Sequence, residues 1–350
     1  MASWAIVAMV DEPAALLAAW AGHHLDLGAS EVHLCLDRPQ EEAFDLLDGT
    51  PCVHLHLDGA DDWAFRGIGA RPVGMNARQK YHASRILAQT RAEWLLHCDS
   101  DEFLWPEAPG TEVGALLDQV PQKINWLQVG VAERVHLRKT PRPDIFAGAY
   151  RLPWPRYANE GYQVYDALTR ELLNYGLAGH HMGKAMVRAG RDLFIGVHHG
   201  LTRYNGQRCP AVAPAPGLRV LHYDGLTLLH FALKMLRYGQ EGRPDNPASH
   251  APARWAQVRG FVDDVQADDL QRLVYRAAKT LGLNQTVALQ ERGLLRQFQP
   301  DVAARARAAL GLSLDLRPAA FDRALICHEM ALIGQLQARY GFDPKALAAS

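Results

Sequence analysis

Residues 99–103 read Asp-Ser-Asp-Glu-Phe and follow the apolar run Trp94-Leu95-Leu96-His97-Cys98. An apolar strand that stops in an Asp-x-Asp triplet sets two carboxylates at the edge of a sheet. Alternate residues on a strand point to the same side, so Asp99 and Asp101 can both turn toward one cation. Oxygen donors of this kind suit Mg²⁺ or Mn²⁺. An ion held by only two carboxylates leaves room for phosphate oxygens, and there it neutralises charge on a departing diphosphate. The same triplet can also be a plain turn after a strand, so its setting matters.

The elements that must position these residues alternate in type. Trp4 to Val10 is a short apolar run of the kind that forms a buried parallel strand. Pro13 suits the first turn of the helix that follows, and Gly28 suits its C-terminal cap. Glu31 to Asp37 and Cys52 to Gly59 alternate as strands, with a short helix, EEAFDLLDG, between them. Asn76 to Ala92 has helical spacing, with Asn76 as the expected N-cap and Ala83, Ile86, Leu87 and Thr90 on one face. The 94–98 run and Asn125 to Leu137 are the next strands. Strand and helix repeated in this order predict an α/β fold with a doubly wound, mostly parallel sheet. Ligands of such sheets sit outside the carboxyl ends of the strands. Three expected strand ends carry acids, namely Asp11/Glu12, Asp37 and Asp99/Asp101, and converging they would form an acidic pocket that attracts a cation. Thr140 to Gly179, rich in Pro, Trp and Tyr, reads as long ordered loops. Beyond a Pro-rich connection, GRPDNPASHAPAR, amphipathic helices predict a helical C-terminal region. The expected division is residues 1–240 and 241–350.

Composition narrows the function. The 350 residues are 48% apolar and 21% charged, with 37 Lys and Arg against 38 Asp and Glu and a formal net charge of −1. That balance is globular and gives no bulk reason to coat nucleic acid or an acidic membrane. No apolar run approaches the roughly 20 residues of a membrane span, and Asp11 and Glu12 cut short the first apolar run, against a signal peptide. Five scattered cysteines without a Cys-x-x-Cys pair support neither a zinc ribbon nor a disulfide framework. The expectation is a reduced, cytoplasmic protein, with a peripheral place at the inner membrane face as an alternative. GIGARP (Gly67 to Pro72) lacks the final glycine of a dinucleotide fingerprint, and no phosphate-binding GxxxxGK[ST] loop or GxSxG nucleophile elbow occurs.

The order of motifs, MVDE, HHLDLG, a strand ending in Asp37, ARQKYH, WLLHCDSDEFLWP, GKAMVRAG, GVHHG and LHYDGLTLLHFALKMLRYG, resembles the family-2-like glycosyltransferases of GT-A fold. The likeness is to the bacterial subgroup with a DxDEF strand end, which is related to the family 92 type. It spans about Trp4 to Gly239. The resemblance implies a nucleotide-sugar donor (a UDP-sugar first), a divalent Mn²⁺ or Mg²⁺, and transfer to a hydroxyl of a glycan or other acceptor. By position it implies Asp101 as the principal metal ligand, Asp99 near the ribose or the metal, and Asp37 against the base or ribose. Gln79 matches a polar position on the preceding helix. Lys184 matches a lysine that meets the diphosphate, with Arg188 a second candidate. Asp11 and Glu12 stand where the family more often has Asn-Glu. His199 is the preferred third metal ligand, with His198 or His222 as alternatives. Glu133 is the candidate general base and Asp166 its rival. Trp105, Trp154, Tyr157 and Tyr162 could stack on sugars or serve as packing anchors. Two other functions stay open: a nucleotidyltransferase, against which DEPAALL stands where a basic Gly-rich loop would lie, and a sugar- or nucleotide-binding module without catalysis.

Overall fold

The chain, in a computed structural model, is described for residues 1–57, 63, 69–204, 206–240, 252–263 and 268–348. The start of GIGARP and most of the Pro-rich connection lie outside these residues. Two compact units form, each from three stretches of sequence: Met1–Val131, Met182–Val220 and Pro300–Leu314, and Ala132–His181, Leu221–Gln299 and Asp315–Ser350.

The first unit is built on β1 (Trp4–Val10), whose seven residues are all buried. It pairs in parallel with β2 (Glu31–Leu36) on one side and β4 (Trp94–His97) on the other, and β2 pairs in parallel with the edge strand β3 (Val53–His56). Helices cover both faces. Ala5 and Val7 pack with Ala83, Ile86 and Leu87 of α3 (Met75–Gln89). On the opposite face Trp4 meets His24 of α1 (Ala14–Asp26) edge-on. The α2 helix (Glu41–Leu47) links β2 to β3. Beyond β4 the pairing reverses, with β8 (Lys184–Arg188) antiparallel to β4 and to the first residues of β6 (Trp126–Leu137). A mixed α/β sheet results, parallel where helices alternate with strands and antiparallel beyond. The unit is completed by β5 (Glu102–Pro106), α4 (Val113–Asp118), the β9–β10 pair (Phe194–Ile195 and Gly200–Leu201), most of β11 (Val212–His222) and α11 (Val302–Leu310).

Two local outcomes differ from sequence expectation. Gly74, and not Asn76, caps α3, and a glycine brings no side-chain acceptor to the first N–H groups of the helix. The helix Val302–Leu310, read with the C-terminal series, belongs to the first unit and packs against α1. A Cβ on Gly22 of α1 would lie 2.6 Å from the Ala306 Cα, so only glycine permits that approach.

In the second unit, the later part of β6 pairs antiparallel with β7 (Ala149–Arg151) and parallel with β12 (Thr280–Leu281), and β7 pairs antiparallel with β13 (Leu295–Arg296). Around them lie short α5 (Tyr157–Glu160) and α6 (Ala167–Glu171), then α7 (Leu228–Gln240), α8 (Pro252–Val262), α9 (Asp268–Lys279) and α10 (Leu283–Glu291). The series ends with α12 (Pro318–His328), α13 (Met330–Tyr340) and α14 (Pro344–Leu347). Phe231, Phe261 and Tyr275 lock α7, α8 and α9 together through ring contacts of 5.5 and 5.6 Å. Among the described residues no helix is long and apolar enough to cross a membrane.

Candidate active site at the carboxyl edge of the parallel strands

In the first unit, Asp99 leaves the end of β4, and its neighbours come from three other elements. The antiparallel register of β8 sets Arg188 opposite Trp94 and Met186 opposite Leu96, which brings Lys184 to the carboxyl end of β4. Gly183 makes this start possible. Its φ is +69°, and a Cβ there would lie 2.1 Å from the Val129 carbonyl oxygen. The Lys184 Nζ then donates to Asp99 Oδ2 at 2.8 Å and sits 2.9 Å from Glu102 Oε2. Gln79 of α3 donates to Asp99 Oδ1 at 2.8 Å, and the Asp99 N–H donates to Glu102 Oε2 at 2.9 Å.

Glu102 is fixed from α1. Trp20 Nε1 donates to the Glu102 carbonyl at 2.8 Å, the Leu104 N–H donates to His24 Nε2 at 3.1 Å, and His23 Nε2 lies 2.8 Å from the Leu104 carbonyl. The HH pair of HHLDLG is thus a structural bracket. Burial pushes the His23 imidazole down to about 3, which keeps it neutral.

Lys184 and Glu102 are fully buried, whereas the Asp99 side chain keeps 31% of its exposure. Burial pushes the Asp99 carboxyl up, but the Lys184 ammonium outweighs it and holds the group below its ordinary range. Burial also pushes the Lys184 ammonium down, and Asp99 and Glu102 together reverse this and raise it. The lysine expected on a diphosphate is instead occupied within the protein, where it clamps Asp99 and Glu102.

The other two strand ends are organised by arginines. After β1, the two oxygens of Asp11 accept from Arg38 Nε at 2.7 and 2.8 Å. Glu12 accepts from the Asp11 N–H at 2.9 Å and from the Ser100 hydroxyl, and Asp101 is near enough for its charge to act on Glu12. The acids after β1 and β4 therefore meet. Burial, with Asp11 and Asp101 adding repulsion, pushes the Glu12 carboxyl up to about 7. After β2, Asp37 receives the Arg78 guanidinium in a two-pronged contact at 2.8 Å on each oxygen, and Arg71 at 2.5 Å. Beside this group opens a cleft of about 280 Å³ lined by Leu36, Asp37, Pro39, Trp63, Arg71 and His82. That volume is near the lower end of ligand pockets, about 300 Å³.

Oxygen donors fit a hard divalent cation, and Asp101 and Glu12, close enough for the charge of one to act on the other, are the acids at this edge that could approach one. His199 is placed elsewhere. Its ring lies edge-on to Trp126 at 6.0 Å, and neither it nor Asp99 belongs to any set of three ligating atoms within 4.8 Å among the described residues. His198 Nδ1 is 2.8 Å from the Gly183 carbonyl. Arg188 lies at the far end of β4, paired with Glu93 and stacked 4.1 Å over Trp94. Four residues of strand, about 13 Å, separate it from Lys184.

Glu133, in the second unit, accepts from Arg151 at 2.7 Å and from the Ala178 and Gly179 N–H groups at 3.0 and 2.5 Å, with Lys279 at 3.5 Å. Burial pushes its carboxyl up, but Lys279 and Arg151 prevail and hold it at about 2. A carboxylate so satisfied is a poor proton acceptor and reads as a buried structural anion. Asp166 caps α6 by accepting from the Thr169 N–H at 2.7 Å. Trp105 packs between His23 and Arg305, Trp154 donates to Glu160, and Tyr157 lies between Trp154 and Tyr165, while Tyr162 is exposed. Sequence reasoning missed Glu102, Ser100, Arg71 and Arg78. Glu102 and Ser100 sit inside the DSDEF motif, and Arg78 is next to Gln79, so adjacency was the available signal.

No described protein family matches the chain, and no curated protein sequence does. Among solved structures, HddC from Yersinia pseudotuberculosis aligns at 11% identity over 64% of this chain and 78% of its own, with a TM-score of 0.28. S. aureus TarS 1–349 in complex with UDP aligns at 12% identity over 99% of this chain and 89% of its own, also with a TM-score of 0.28. Both likenesses are too distant to bear on chemistry.

Proposed function

We propose that this chain transfers a sugar from a nucleoside-diphosphate sugar to an acceptor hydroxyl, as a metal-dependent glycosyltransferase of GT-A type acting in glycan synthesis. The observation that carries this reading is the meeting of Glu12 and Asp101 at the carboxyl edge of β1 and β4, with Asp99 clamped beside them and the cleft open next to Asp37. This is the edge where parallel sheets bind their ligands. The DSDEF resemblance supports the same reading.

In this reading the cleft takes the base and ribose of the donor. Asp37 acts there through Arg71 and Arg78, whose donors it aims, since its own oxygens are engaged. Arg71, half exposed, offers N–H groups to the donor. Asp101, with Glu12, would hold Mn²⁺ or Mg²⁺, which when bound offsets the charge of a leaving diphosphate, while Asp99 stands beside them. Lys184 and Gln79 fix the Asp99 carboxylate, so that no reorganisation is needed when the donor arrives.

Thermal unfolding with UDP-, GDP- and CMP-sugars, with and without Mn²⁺, tests this. A donor at 100 times its dissociation constant adds about 2.7 kcal/mol to stability. The expected result is Mn²⁺-dependent stabilisation by one donor, lost in Asp101→Ala. Equal shifts in wild type and Asp101→Ala would remove the cation from the aspartate edge and the proposal with it.

A further inference from the structure

The β2–β3 edge of the first unit carries a second group of ligating side chains, distinct in chemistry from the carboxylate edge. In the parallel register His33 lies opposite His54, and Cys35 opposite His56. Paired strand residues share a face, so Glu31, His33, His54 and His56 all project on one side. The His33 Nδ1 and His56 Nε2 atoms are 3.0 Å apart. On its other side His33 Nε2 meets Glu31 Oε2 at 2.9 Å. Glu31 is itself held by the Thr90 hydroxyl at 2.7 Å and the Arg91 N–H at 2.9 Å.

This arrangement settles the tautomer of His33. A carboxylate accepts only, so Nε2 carries the proton and Nδ1 presents a lone pair toward His56. A carboxylate on the outer nitrogen of a histidine is the support that metal-bound imidazoles use. As the rings stand, the 3.0 Å spacing is an N–H···N hydrogen bond between nearly parallel rings whose centroids lie 5.2 Å apart, and both rings must turn for the two nitrogens to face one ion, where they would lie about 2.8 to 3.3 Å apart. The ring of His54 stacks on His33 at 4.7 Å and helps to hold it. His54 is exposed and His56 partly so, and β3 is the edge strand, which leaves an approach from solvent among the described residues. Arg85 on α3 acts on His56 as a like charge to a cation, and Glu31 supplies the opposite charge at His33.

We infer that this edge binds a nitrogen-seeking divalent transition metal, of the Cu²⁺, Ni²⁺ or Zn²⁺ class, through His33 Nδ1 and His56 Nε2, with Glu31 fixing the His33 ring and water completing the shell. On binding the ion, His56 changes tautomer: its single proton leaves Nε2 and is taken up at Nδ1, so the imidazole stays neutral and Nε2 presents its lone pair. The site is independent of the proposed transferase centre, whose oxygen donors prefer Mg²⁺ or Mn²⁺.

The test uses the full chain carrying Asp101→Ala, which removes the competing carboxylate edge, and Cu²⁺ as the probe. Calorimetry and electron paramagnetic resonance of the first equivalent should show a single site with coupling to two nitrogens. His56→Ala and His56→Asn should each weaken Cu²⁺ binding at least tenfold and remove one nitrogen coupling. Glu31→Gln should weaken it by about ten- to a hundredfold. The asparagine variant keeps a polar partner for His33, and melting without metal checks that each variant is folded. A folded His56 variant with wild-type Cu²⁺ affinity and an unchanged nitrogen signature would overturn the assignment.

Discussion

Replacing Lys184 by methionine isolates what holds the Asp99 edge in place. The substitution keeps an unbranched side chain, one atom shorter, and removes a fully buried cation that lies within 2.9 Å of two carboxylates. Breaking a buried ion pair from one side costs about 3–5 kcal/mol, because fully buried Glu102 loses the cation beside it and keeps the Asp99 N–H, while Asp99 keeps Gln79 and part of its exposure. For a unit of this size each kcal/mol lowers the melting temperature by about 2–4 °C, so at pH 7.5 the loss should be roughly 6–20 °C. The pH dependence adds a second signature. In the wild type the Asp99 carboxyl is held below its ordinary range, so its contribution is present above the unfolded value of about 4 and fades as pH falls through the folded one. In Lys184→Met the two acids are raised, so their penalty is absent below about pH 4 and grows above it. The deficit against wild type should therefore shrink markedly between pH 7.5 and pH 5. Scanning fluorimetry at both values, with Lys184→Arg as the charge-retaining control, measures it. A variant that melts within 2 °C of wild type at pH 7.5, or a deficit that does not change with pH, would refute the reasoning.

Glu12 should make stability fall as pH rises from about 4.5 through 7, since its folded value is raised by burial; Glu12→Gln should flatten that slope and gain stability at pH 8, and an unchanged slope in denaturant unfolding would contradict it. Glu133→Gln should act on folding, lowering stability by about 3 kcal/mol through Arg151 and Lys279, while any variant that stays folded keeps its response to donor; a folded variant that binds donor normally but loses transfer altogether would restore Glu133 as a base. Arg71→Ala, at a half-exposed position, should leave the melting temperature unchanged and weaken nucleotide binding by about tenfold in calorimetry. Gly22→Leu should cost at least 1–3 kcal/mol by forcing α1 from α11, visible as a lower denaturant midpoint.

The sequence alone determined the alternation of buried strands and amphipathic helices, and with it an α/β fold whose strand ends carry acids. It did so because hydrophobic periodicity is local: the short apolar run Trp4–Val10, ended by Asp11 and Glu12, reads as a buried strand, and an apolar strand followed by DSDEF presents acids at its end. What it left undecided are the partners of each charge. Lys184 and Arg188 look alike in GKAMVR, yet the register of β8 puts one against Asp99 and the other about 13 Å away on Glu93. Glu133 looks like any acid on a strand until Arg151 on the neighbouring β7 and Lys279, distant in sequence, close around it. An ion pair depends on distances of a few ångströms between residues that may be a hundred positions apart, and only the packing of the whole unit fixes those.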